Sequence, residues 1–183
     1  MIASCLCQFV DASKTLPYNF TLGAVNTSLP NANFTGVPLV LGQAGAIAGE
    51  SFYVTSTYAS YPYNDYPSLG LINNTLRAYT KSGAWITNTT DVQSGAALSW
   101  GTSTLYTQPD PPIFSAIRIP TYECPLLAVH GFADLWSLCP FAGTRPQTNV
   151  IFNMSADNTS PPPPYLGFDP ADCYGVVITI LPL

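Results

Sequence analysis

The chain has 183 residues, 10 of them acidic and only 5 basic, so its net charge is −5, and charged residues make up 8% against 47% hydrophobic. Surface polarity must then come from hydroxyls, amides and attached groups. The dispersed cations Lys14, Arg77, Lys81, Arg118 and Arg145 supply neither a phosphate-binding footprint nor attraction to an anionic membrane, so nucleic acid is not an expected partner.

Residues 1–10, which include Cys5 and Cys7, are modestly apolar and lack a basic start, although Ala3 and Ala12 are the small residues that a signal peptidase takes. We expect 1–14 to be a leader or a disordered N-terminus, with a first strand as the alternative, and 15–183 to be a single domain. No apolar run approaches the roughly 20 residues of a membrane-spanning helix.

From there the 18 Pro, the 13 Gly and the Asn residues punctuate short apolar or alternating segments, and no stretch keeps a helical period. The predicted fold is all-β: a single-domain antiparallel β-sandwich or barrel with long loops and little helix. Strands are expected at 19–25, 38–42, 52–57, 69–72, 76–79, 97–101, 114–119, 126–130, 135–139, 150–154 and 175–181. Segment 42–49 carries spaced glycines but no following Lys or helix, so it reads as a turn between strands and not as a phosphate loop. Four prolines at 161–164 make a stiff extended connection before the last strand.

Seven Asn-x-Ser/Thr triplets stand at Asn19, Asn26, Asn33, Asn73, Asn88, Asn153 and Asn158. Chance would place about two in a chain of this composition, so the excess points to N-glycosylation in the secretory pathway. Strand alternation puts Phe20, Leu22 and Ala24 on one face with Asn19 and Thr21 on the other, and Val150, Phe152 and Met154 opposite Asn153. Asn73 and Asn88 fall in segments that read as turns, and Pro161 just after the triplet at Asn158 disfavours its modification.

In an oxidising compartment Cys139, at a strand end, and Cys173, just before the closing strand, are expected to pair. Cys124 is then left as a buried thiol, or pairs with Cys5 or Cys7. Tyr58, Tyr61, Tyr63 and Tyr66 crowd 57–67, where rings offer flat faces to sugar C–H groups while Asn64 and Asp65 grip hydroxyls; the other reading is that these rings cover the edge of the fold. Trp85, Trp100 and Trp136 are expected in the core.

Catalytic patterns are thin. The single histidine, His130, precedes Asp134 by four residues, but no nucleophile elbow accompanies it. One His with oxidised cysteines does not make a zinc site, and no cofactor is expected. Glu50 and Glu123, with the aspartates, leave a glycan hydrolase as a minor alternative.

The order of Pro125-Leu-Leu-Ala-Val129, Leu135-Trp-Ser-Leu-Cys139, Val150-Ile-Phe-Asn153 and Asp172-Cys-Tyr174 before a closing strand resembles secreted glycoproteins of mushroom-forming fungi. More distantly it is similar to phialide-type cell-wall proteins, some of them IgE-binding. The resemblance covers about 16–183 and implies an extracellular or wall-associated β-domain without enzymatic activity. The functional expectation is therefore a secreted, glycosylated, wall-associated structural protein, open to self-association. A carbohydrate-binding module that uses the aromatic loop to hold cell-wall polysaccharide is the alternative.

Overall fold

The computed structural model describes residues 11–107, 109–143, 146–154 and 167–183. Cys5, Cys7, Arg145, Asn158 and the proline run lie outside the described residues. The strands are β1 (Asp11–Ser13), β2 (Phe20–Asn26), β3 (Val37–Ile47), β4 (Glu50–Thr57), β5 (Ser68–Ile72), β6 (Thr75–Tyr79) and β7 (Trp85–Thr89). They continue with β8 (Ser99–Ser103), β9 (Phe114–Arg118), β10 (Leu126–Val129), β11 (Trp136–Pro140), β12 (Thr148–Phe152) and β13 (Tyr174–Pro182). Among the described residues the only helical element is a 3₁₀ turn at Pro170–Asp172.

Nine strands close an antiparallel barrel in the order β2-β5-β6-β7-β8-β4-β12-β11-β13. Strand β3 bridges β2 and β4, and β10, β9 and β1 extend the sheet from β13. The all-β expectation holds, and closure leaves few free edges. No helix among the described residues is long and apolar enough to cross a membrane.

Alternation drives the core. Phe20, Leu22 and Ala24 point inward from β2 and meet Val176, Ile178 and Ile180 from β13, which pairs with β2 along its whole length. Trp100 and Trp136 are fully buried, and each finds a partner for its indole N–H: Thr55 Oγ1 and Leu127 O, both at 2.9 Å. A buried ring thus keeps its polar atom satisfied. Two-residue turns with positive φ at both centres join β5 to β6 (Asn73, Asn74) and follow β10 (His130, Gly131), the condition of a primed hairpin turn.

The differences from expectation have tertiary causes. Segment 42–49 is not a turn, because β3 runs to Ile47 with a bulge at Ala44 and only Ala48 and Gly49 form the tip. Its small residues are held extended by the pairing with β4 and not by propensity. Strand β7 was unexpected because Asn88 and its threonines resemble a turn, yet β6 and β8 flank it on both sides. Strand β1 pairs with β9, so Asp11–Ser13, within the segment read as a leader or disordered N-terminus with a first strand as the alternative, add to the sheet.

Candidate functional site

A groove of about 1190 Å³ opens between the middle of β3, the loop after β4 and the β11–β12 turn. Beside it Gly42 allows a close approach of side chains from β4 and the β11–β12 turn. A Cβ on Gly42 would come within 2.1 Å of Gln147 Oε1 and 2.4 Å of Ser56 Oγ, so only glycine admits both groups here, whereas a Cβ on Gly45 would meet nothing within 4 Å. The buried Ser56 hydroxyl lies 2.8 Å from Gln147 Oε1 and 2.6 Å from Asn149 Oδ1, while Gln147 Nε2 donates to Gln43 O at 3.0 Å. Strand β3 is thereby tied to a residue that follows it by 104 positions.

The loop is held by its own backbone. Ser60 N and Tyr61 N both donate to Thr57 O, and the Ser60 hydroxyl accepts from Thr148 N at 2.9 Å. The Tyr61 and Tyr63 rings meet edge to face at 5.1 Å, and Tyr63 is 62% exposed. Both line the groove, as do Asp65 and Phe141, and Phe141 packs on Phe168 at 4.7 Å. Asp65 lies 3.8 Å from Lys81 Nζ.

The predicted ligand-binding set is thus divided. Tyr61, Tyr63 and Asp65 come together at the groove. Tyr58 is exposed but does not line it. Tyr66 is a correction: it is buried, packs against Tyr53 at 5.2 Å and places its hydroxyl 3.3 Å from Thr102 Oγ1. Asn64 is another, since its Oδ1 is buried and the residue faces a small cavity with Leu39 and Leu69 and not the groove. Burial, with the hydrogen bond and charge of Tyr66 and the charge of Asp65 adding to it, pushes the Tyr53 phenol up to about 12, so it stays neutral as a structural donor. The sequence reading missed Gln43, Phe141 and Gln147, which carry no local motif.

The disulfide forms as expected between Cys139 and Cys173. Leu138 pairs with Tyr174 in the β11–β13 ladder, so the two cysteines sit directly opposite with Cα atoms 4.3 Å apart, the spacing of a close cross-strand pair. The bridge packs with Ile151, Phe168 and Phe141, the last of which lines the groove. Among the described residues Cys124 has no disulfide partner, and it is half-buried.

Among the described acceptor asparagines, Asn19, Asn33 and Asn73 are exposed and Asn26 is half-buried. At Asn33 the Thr35 hydroxyl donates to Oδ1 at 2.7 Å, and at Asn26 the Ser28 hydroxyl does so at 3.4 Å. Asn88 is a correction: it is only 8% exposed, lies within β7, and accepts the Trp85 indole N–H at 2.6 Å. Asn153 is half-buried and its Nδ2, the atom that would carry sugar, donates to Ser94 at 2.8 Å.

Trp85 is the remaining correction. Of the three tryptophans expected in the core it is 43% exposed. His130 places Nε2 3.0 Å from Val92 O and serves the turn after β10. Neither Glu50 nor Glu123 lines the groove, and among the described residues no three His, Cys, Asp or Glu side chains cluster to hold a metal ion. Comparison with protein-family models, curated proteins and solved structures gives no match.

Proposed function

We propose that this is a secreted, N-glycosylated surface protein that binds a neutral cell-wall polysaccharide along the groove and has no catalytic role. The observation that carries this reading is the make-up of the groove. The half-buried Tyr61 and the exposed Tyr63 line it together with the amide and hydroxyl side chains of Gln43, Gln147 and Ser60, and among the described lining residues Asp65 is the only charge. Aromatic faces stack on the C–H surfaces of sugars while amides bond their hydroxyls. A groove open to solvent suits a chain better than a small enclosed ligand. Purified protein mixed with insoluble chitin and glucan is expected to be retained by at least one of them, and Tyr61→Ala with Tyr63→Ala to abolish retention. Equal retention of that double variant would remove the groove from the account, and turnover of the bound polymer would favour the hydrolase alternative.

A second reading, a structural protein that self-associates in the wall, is favoured by the free edge of β3. Beyond Leu39 no described strand lies along its outer side, and Gln43, Ala44, Gly45, Ala46 and Ile47 carry no charge. Such an edge invites pairing with another copy. Light scattering over a concentration series checks this: growth that Ala46→Lys stops would support it, and a monomer throughout would end it.

A further inference from the structure

Strand alternation alone would bury Trp85. Thr87 and Thr89 of the same strand point inward and are fully buried, so the residue two places before Thr87 should point inward too. The β6–β7 ladder prevents this. Ala78 faces Thr87 but Tyr79 faces Trp85, which leaves Ile86 as an extra residue in β7. A bulge of this kind turns the chain over by one position. Trp85 therefore joins the outward row of Arg77 and Asn88, which oppose each other in the same ladder.

Once outside, the ring is held in place. The Arg77 guanidinium carbon lies 3.7 Å from the indole centroid, and Arg77 is itself tied to Asp110 at 3.4 Å. The indole N–H donates to Asn88 Oδ1 at 2.6 Å. Beside it Tyr79 covers Gly70, where a Cβ would come within 3.0 Å of the Tyr79 ring. These contacts fix both side-chain torsions of Trp85 while leaving 43% of it open to solvent. The arrangement keeps in water the largest apolar side chain available, although β7 without its bulge would bury that ring.

A ring fixed before binding loses little conformational freedom when a ligand stacks on it. Its flat apolar face matches the C–H face of a pyranose. We propose that Trp85, backed by Arg77 and oriented by Asn88, is a stacking subsite for a neutral pyranose unit, separate from the groove. The ligand class rests on the neutral-polysaccharide reading above; the site and its readout do not. The subsite also gives the Asn88 side chain a role, since its Oδ1 orients the indole.

The test uses tryptophan emission, because Trp100 and Trp136 are buried and Trp85 alone of the three is exposed. Chitohexaose and laminarihexaose are titrated into the whole protein while calorimetry records binding and acrylamide quenching records access to Trp85. At saturation we expect a blue shift and protection from acrylamide that persist in the Tyr61→Ala, Tyr63→Ala variant. Arg77→Gln, which keeps the fluorophore, is expected to weaken affinity roughly 2- to 10-fold, the scale of one aromatic contact. Calorimetric binding with unchanged Trp85 emission and quenching overturns the subsite and leaves the groove standing. A Trp85 response with no effect of the tyrosine substitutions on affinity upholds the subsite and overturns the groove. Calorimetric silence with both oligosaccharides overturns the neutral-glycan subsite and counts against the groove as well.

Discussion

The groove mouth and the β6–β7 wall both present aromatic rings to solvent beside a bulge, Ala44 in β3 and Ile86 in β7, but they hold those rings by different means. At the mouth, Tyr61 and Tyr63 stand on a loop pinned through its backbone to Thr57 and through Ser60 to Thr148, and the rings touch each other. On the wall, Trp85 belongs to a ladder and is clamped by Arg77 and Asn88. The 62% exposed Tyr63 ring keeps freedom that binding must remove, whereas the wall ring surrendered it on folding. The mouth is thus the adaptable element and the wall the rigid one.

That contrast can be broken or sharpened by substitution. The largest effect is expected in the core: Trp100→Ala should cost about 3 to 5 kcal/mol in urea unfolding, whereas Trp85→Ala, which loses a surface cation–π contact and one hydrogen bond, should cost about 1 to 2. Equal costs would mean that Trp85 is core after all. Breaking the 34-residue link between Cys139 and Cys173 should lower stability by roughly 3.5 to 4 kcal/mol in the chain-entropy model. Since Phe141 and Phe168 pack against the bridge, polysaccharide retention should fall as well, while acrylamide access to Trp85 stays constant in the folded variant. Gly42→Ala pushes Gln147 and Ser56 away and is expected to cost about 1 to 3 kcal/mol, loosening the mouth alone. Tyr63→Ala, at an exposed site, should leave stability within about 0.5 kcal/mol yet reduce retention, and a stability loss without a binding loss would contradict the role given to the loop.

The smallest effect concerns pH. The Tyr53 phenol is raised in the folded state from 10.0 to about 12, and burial raises Tyr174 too. The unfolded chain therefore releases these protons first, so the Tyr53 contribution is fully present below pH 10 and is lost as pH rises towards 12, and that of Tyr174 is lost in the same direction. Melting temperature should be insensitive to Tyr53 at neutral pH and fall above pH 10, less steeply in Tyr53→Phe.

Much of the architecture was legible in the chain. The inward row of Phe20, Leu22 and Ala24 followed from period-two alternation, which is a local property, and so did most other strands. The cysteine pair was legible because each cysteine borders an apolar strand. The tyrosine loop was legible as a cluster, but its division was not. Tyr66 turns inward against Tyr53 and Thr102, and Gln43 and Gln147 reach the groove from 104 residues apart. Sequence spacing carries no record of either meeting.

By itself, then, the sequence determined the class of fold, most strand positions and the disulfide, because alternation and turn chemistry are short-range features. Barrel closure, strand β7, the burial of Asn88 and the outward face of Trp85 were decided only by tertiary structure. Each depends on which strand lies alongside and in what register, and one inserted residue in a ladder reverses the face of every side chain beyond it.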